Sequence, residues 1–147
     1  MVYLAADHGG FELKEKIKAY LIQSSTQYED LGATELIPND DYDDYVLKLV
    51  ERVRYDEGSR GIVICRNGVG VSMLVNKFKG IRAALSFSPK HVASSRNDDD
   101  SNVLALPSDY VDGPLALEIV KTWLQTPFSG ADRHIRRVGK VDQFGQE

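Results

Sequence analysis

A lone cysteine, Cys65, closes the apolar run Gly61-Ile62-Val63-Ile64 and opens onto Arg66-Asn67-Gly68-Val69-Gly70-Val71. In a core interior a cysteine is an inert apolar side chain. At a strand end just before a helix start, free amides and the helix dipole favour its thiolate, the form that does chemistry. The first apolar run, Val2 to Ala6, ends in the same way on Asp7-His8-Gly9-Gly10. Asp7 alone could serve as a helix cap. Its interest comes from company: a carboxylate, an imidazole and a thiol, each delivered by a strand end, beside glycines that let backbone N–H groups approach an oxyanion.

Other spacings exclude other chemistries. Gly68-Val69-Gly70-Val71-Ser72-Met73 lacks the third glycine of a dinucleotide fingerprint and follows the third strand instead of the first, so no nicotinamide cofactor is expected. Lys77 falls too late after the turn to act as a P-loop lysine. The runs Asp40-Asp41-Tyr42-Asp43-Asp44 and Asp98-Asp99-Asp100 match no cation loop, so both are read as solvated loops or helix N-termini and no metal or other cofactor is expected. From Ser129 the chain changes character. Arg133-His134-Ile135-Arg136-Arg137 and Lys140 gather positive charge on a final helix, which is either a solvated face or a clamp for a small phosphate.

The elements that must position these groups alternate. Val2–Ala6, Tyr28–Leu31, Gly61–Cys65, Ile81–Leu85 and Val103–Leu106 read as strands. Leu13, Ile17, Tyr20 and Leu21 mark a helix, as do Val46, Leu49, Val50 and Val53, and as do Leu115, Ile119, Val120, Trp123 and Leu124. A short helix ends near Asn76, and another stretch covers His91 to Arg96. This order predicts an α/β fold: a three-layer α/β/α sandwich around a Rossmann-like, doubly wound parallel sheet of about five strands. Ligands of such sheets bind beyond the carboxyl ends of the strands where strand order reverses, commonly between strands 1 and 3. Those are the strands that carry Asp7, His8 and Cys65.

With 147 residues, 42% hydrophobic and 27% charged, the chain is expected to be one domain, residues 1–147, with a basic helix or tail from about 129. Its net charge of −4 gives no reason to expect nucleic acid or an anionic membrane as partner. One cysteine cannot form an internal disulfide, and no apolar run approaches a transmembrane length, so a cytoplasmic location is expected.

The set Asp7-His8-Gly9-Gly10-Phe11-Glu12-Leu13-Lys14, Gly61–Cys65 with Gly68-Val69-Gly70, Asn76-Lys77-Phe78-Lys79-Gly80-Ile81-Arg82-Ala83, Asn102-Val103-Leu104-Ala105 and Arg133-His134…Arg137 resembles the ribose-5-phosphate isomerase B family, in order and over nearly the whole chain. The resemblance implies metal-free interconversion of D-ribose 5-phosphate and D-ribulose 5-phosphate through a cis-enediolate, a step of pentose phosphate metabolism. It also implies a site shared within a homodimer, and leaves dimer and tetramer both open as the final assembly. By the same resemblance Cys65 is the base that moves the proton between C1 and C2. Asp7 and His8 contact the ring and the phosphate end, Tyr42 lines the site, Arg133 and Arg137 bind phosphate, and the loop from Asn67 through Gly68, Val69 and Gly70 to Val71 forms the anion hole. Where the family has Gly-Thr after the cysteine, this chain has Arg66 and Asn67; where it has His-Asn before the last strand, with the histidine opening the furanose ring, this chain has Asp98 and Asp99; and where it has an arginine after that strand, this chain has Asp109. Asn67 and Asp98 are therefore candidate catalytic residues beside Cys65, and Arg66 and Asp99 candidate substrate contacts. Two further readings use the same residues: an isomerase of another sugar phosphate, of the allose or galactose 6-phosphate type, and a non-catalytic sugar-phosphate-binding homologue.

Overall fold

A parallel strand covered on both faces needs apolar side chains at every position, and β1 (Val2–Ala6) and β5 (Val103–Pro107) are buried at all of theirs. Between them lies β3 (Arg60–Cys65), buried from Gly61 onward. The computed structural model describes residues 1–147. It adds β2 (Tyr28–Asp30) and β4 (Ala83–Leu85) as edge strands, giving the order β2-β1-β3-β5-β4 with every pairing parallel. The chain winds outward from β1 to β2, then returns past β1 to build the other half. The β1/β3 boundary is thus the place where strand order reverses, as the α/β reading requires.

Alternation along the strands sorts the side chains onto two faces. Val2, Leu4, Ala6, Ile62, Ile64, Leu104 and Leu106 face α1 (Phe11–Gln23), α4 (Pro89–Asp99) and α5 (Gly113–Gln125), where Trp123 is fully buried. Tyr3, Ala5, Val63, Cys65, Val103 and Ala105 face α2 (Asp43–Tyr55) and α3 (Val69–Val75). The helical stripes read from sequence are the buried faces of α1, α2 and α5. The last helix, α6 (Asp132–Val141), packs on α4 and buries His134.

Three expectations shift. The fourth strand begins at Ala83, not Ile81, because Ile81 turns into the core beside α2 and α3 while Asn102 takes the Arg82 N–H on its side-chain oxygen at 2.8 Å. The helix around His91 to Arg96 extends over Pro89–Asp99, started by Ser88, whose hydroxyl accepts the His91 N–H, and by Pro89 in the first turn. The run Asp98-Asp99-Asp100 lies at that helix's C-terminus, where neither a solvated loop nor an N-terminus was found. Asp100 caps it in the left-handed region (φ 49°), its carboxylate receiving Arg96 at 2.8 Å and Arg82 at 3.0 Å. Two arginines offset the unfavourable placement of acid at a helix C-terminus.

Candidate active site

Because Cys65 sits two residues after Val63, its sulfur faces the α2/α3 side. The chain then turns sharply into α3 through Gly68, which is left-handed (φ 71°) and has no room for a Cβ, since one would lie 2.6 Å from Leu85 Cδ1. That turn aims the Gly68 N–H at Cys65 Sγ at 3.2 Å, a donor that favours negative charge on the sulfur. The Cys65 thiol in turn reaches Asn67 Oδ1 at 3.7 Å, and the same oxygen receives the Val69 N–H at 3.0 Å. Helix geometry leaves the Gly70 and Val71 N–H groups without an acceptor inside α3, available to an oxyanion.

Tyr42, at the start of α2, lies over this turn. A Cβ on Gly70 would come 2.7 Å from its hydroxyl oxygen, so the glycine is what lets the phenol approach the loop. Burial pushes the Tyr42 hydroxyl above its ordinary value, helped by the negative charges of Asp43, Cys65, Asp41 and Asp7. Asp7 is buried and accepts the Gly10 N–H at 3.1 Å; loss of water pushes its carboxyl up despite that bond. Asp7, Tyr42, Cys65, Asn67 and the loop through Val71 are therefore brought together on one face of the β1/β3 boundary.

His8 and Arg66, the next residues along each strand end, point into a cleft of about 580 Å³ also lined by Gly9, Lys16, Asp109 and Asp112. Ser108 pins the floor of this region, donating to the Gly9 carbonyl at 2.7 Å and to the Cys65 carbonyl at 3.2 Å. Arg66 Nη1 stands 3.7 Å from Asp109 Oδ1. So the positions where the resembling family has glycine and arginine carry here an ion pair of their own.

The remaining candidates are elsewhere. Asp98 and Asp99 end α4, which leads into the start of β5, whereas Cys65 pairs with Pro107 at that strand's far end. At ~3.3 Å per residue the strand alone separates the two edges by about 13 Å. Asp98 is 47% exposed, with His134 Nε2 3.8 Å away. Arg133 and Arg137 are exposed on α6, and Arg137 shares a second groove with Asp99, Leu85 and His91. Within one chain these four residues do not meet Cys65.

Sequence reasoning missed Asp40. Taken there as part of a solvated run, its side chain is only 7% exposed, and Oδ1 accepts both the His8 main-chain N–H at 2.7 Å and His8 Nδ1 at 2.8 Å. It also missed Lys14, fully buried, with Nζ 2.9 and 2.7 Å from the Asp30 oxygens and 2.6 Å from the Ala33 carbonyl. This clamp fixes the start of the loop whose far end delivers Asp40 and Tyr42. The one local signal was a lysine in a helix turn facing an aspartate at the end of a neighbouring strand.

The profile of the ribose/galactose isomerase family matches residues 2–141. The chain belongs to that family. A Mycoplasma pneumoniae relative named as a probable ribose-5-phosphate isomerase B is 45% identical, over 99% of this chain and 95% of its own. The Thermotoga maritima ribose-5-phosphate isomerase B superposes with a TM-score of 0.91 at 40% identity, covering 97% of each chain. The Mycoplasma genitalium enzyme, whose crystal structure holds ribulose 5-phosphate, gives a TM-score of 0.91 at 37% identity, covering 97% of this chain and 93% of that one. These ribose/galactose isomerases share the fold described above, and no helix of the present chain is long and apolar enough to cross a membrane.

Proposed function

We infer that this chain is an aldose–ketose isomerase that interconverts D-ribose 5-phosphate and D-ribulose 5-phosphate. The observation that carries the reading is the Cys65 sulfur, held by the Gly68 N–H at the sheet's switch point and facing Asp7 and Tyr42. A proton next to a carbonyl becomes removable when a base stands over it and fixed donors receive the charge that develops on oxygen. Cys65 takes the proton from C2 of the open aldose and returns it to C1, while the O2 hydroxyl proton passes to O1 directly between the two cis oxygens; the electron pair rests meanwhile in a cis-enediolate whose oxygens face the Gly70 and Val71 N–H groups. Asn67 orients the thiol through Oδ1 and presents its amide N–H to the same oxygens. A carboxamide holds an oxygen without shuttling its proton, in contrast to the hydroxyl usual at this position.

The phosphate supplies remote binding energy that holds C1 and C2 against the base. A second copy of the chain would bring Asp98, Asp99, Arg133 and Arg137 to the Cys65 edge of the first. That arrangement gives work to exposed arginines that the single chain leaves far from the thiol. Arg66 and His8 meet the sugar phosphate from the cleft side.

Cys65→Ala tests the reading. Turnover should fall by about 10²–10⁴-fold in both directions, while calorimetric binding of ribose 5-phosphate persists. Undiminished turnover would remove Cys65 from the reaction. Assaying ribose, allose and galactose phosphates side by side separates this activity from a hexose phosphate isomerase, and no turnover of any of them would leave a binding module.

A further inference from the structure

The arginines expected to bind phosphate are carried by a helix that buries very little. In α6 only His134 is buried, and of its other residues only Val138 is partly covered. Asp142, the cap, follows at the next turn. His134, Val138 and Asp142 are spaced four residues apart and so form one row, the row on which the helix rests. Arg133 and Arg137 form the adjoining row, each one residue, or about 100°, further around the axis. A helix with side chains is about 10–12 Å across, so a rotation of about 20° moves its outer atoms by about 2 Å. That is enough to break a bidentate contact with phosphate. One half-covered valine cannot prevent such a rotation, so the row must be held in another way.

Polar contacts hold both ends of it. At the start, His134 Nδ1 meets Ser129 Oγ at 2.7 Å. At the end, Arg82 Nη1 donates to both oxygens of Asp142, at 2.9 and 3.0 Å. Arg82 is itself anchored where β4 and β5 begin. Its main-chain N–H goes to Asn102 Oδ1 at 2.8 Å, and its carbonyl accepts the Asn102 N–H at 3.0 Å. Its Nε donates to the Asp100 carbonyl and its Nη2 to Asp100 Oδ2, each at 3.0 Å, with the side chain 16% exposed. A planar guanidinium held on its other edges presents Nη1 in one fixed direction. Beyond Asp142 the chain is tied down again: Gln146 donates its N–H to the Lys77 carbonyl at 2.7 Å and accepts the Lys79 N–H at 2.9 Å. Those bonds come four residues after the cap, and they hold the tail without setting the rotation of the helix.

We propose that Arg82 is a positioning residue for phosphate recognition: through Asp142 it fixes the rotation of α6 about its axis and so aims Arg133 and Arg137. This rests on the isomerase reading above. Neither Arg82 nor Asp142 touches substrate, and both act through the arginine row beside the one they hold.

The experiment separates aim from stability in the full-length protein. Asp142→Ala removes the anchor of α6 and leaves Arg82 on Asp100, whereas Asp100→Asn weakens the same network and leaves Arg82 on Asp142. Asp142→Ala should raise both KM and the calorimetric Kd for ribose 5-phosphate about 10-fold, with kcat within about twofold of the unaltered value. Inorganic phosphate should weaken as a competitive inhibitor in step. Asp142→Glu, which keeps a carboxylate, should recover most of the loss. Asp100→Asn should leave KM where it was even as it lowers Tm. An unchanged KM in Asp142→Ala, or a KM that merely follows Tm across these variants, would overturn the assignment. Should Asp142→Ala fail to fold, Arg82→Lys carries the test, since it keeps the charge, loses the fork and should show the same loss in KM alone. An unaltered protein that binds ribose 5-phosphate without turning it over would instead overturn the isomerase reading, and the Kd comparison would then decide on Arg82.

Discussion

The two acidic runs of this chain have similar composition and different uses, and each belongs to a different half of the proposed site. In Asp40-Asp41-Tyr42-Asp43-Asp44 the first carboxylate folds inward onto His8; at the end of β2 another acid of this half, the half-buried Asp30, is clamped by Lys14 and Lys18 at 2.7 and 2.9 Å. In Asp98-Asp99-Asp100 the last is neutralised by Arg82 and Arg96, and Asp98 stays in water beside α6. What separates them is the number of donors that meet each carboxylate and how much water it has lost. The β1/β3 edge is therefore a preformed half, built with the fold. The α4–α6 flank is a solvated half whose charges are free to meet a ligand or a second copy of the chain.

If that contrast is right, acids on the preformed edge support the fold, whereas cations on the flank support binding. Asp30→Asn should have the largest effect, lowering the unfolding free energy by about 3–5 kcal/mol, because Lys14 is left fully buried without its counter-charge. Burial alone would raise the Asp30 carboxyl, but Lys14, Lys18 and the Gly32 N–H hold it below the usual range. Its contribution is therefore complete above the unfolded value of about 4 and is lost as pH falls below that. Urea unfolding at several pH values should show the gap between Asp30→Asn and the unaltered chain closing in acid.

Arg137→Ala should weaken ribose 5-phosphate binding by about 1.5–3 kcal/mol and change stability by no more than about 0.5 kcal/mol. Unphosphorylated ribose should be indifferent to it. If the two halves come from different chains, mixing Arg137→Ala with Cys65→Ala at low ribose 5-phosphate, where each alone turns over poorly, should raise the activity above the sum of the two, since a mixed dimer holds one intact site. A loss of stability equal to the loss of binding would erase the distinction between the halves. The smallest effect is expected for Asp100→Asn. Asparagine tolerates the left-handed backbone, Arg82 keeps Asp142 at 2.9 Å, and Arg96 keeps the Ser101 carbonyl at 2.6 Å. A loss of about 1 kcal/mol with unchanged turnover is expected by thermal unfolding and assay.

Much of this architecture was legible in the chain because periodicity reports burial directly. The apolar runs of β1, β3 and β5 and the stripes of α2 and α5 are what two-sided and one-sided burial look like in sequence. Cys65 and Asp7 could be paired because the switch-point rule needs only strand order. The ends of α4 were hidden by its polarity: of Pro89–Asp99 it buries only Val92, Ser95 and Arg96, too few apolar positions for a stripe. Asp40 was hidden for another reason. Its partner His8 lies 32 residues earlier, and only the path of the intervening loop brings them together. A buried lysine such as Lys14 leaves only a faint mark in the sequence, since its burial depends on a partner at the end of a different element.

The alternation that puts Cys65 on the α2/α3 face also sets which changes of length the molecule can survive. Asp7 and Cys65 share that face because β1 and β3 are paired in register, Leu4 beside Ile62 and Ala6 beside Ile64. Removing one residue from β3 would exchange the facing of every side chain beyond the deletion, turning the thiol toward Leu13 and Ile17 and setting Arg66 at the reactive position. No substitution elsewhere could repair that. Apolar side chains of similar size can therefore replace one another along β3, and the exposed loop from Thr34 to Asn39 can change length, while a single-residue insertion or deletion within β1 or β3 breaks the site.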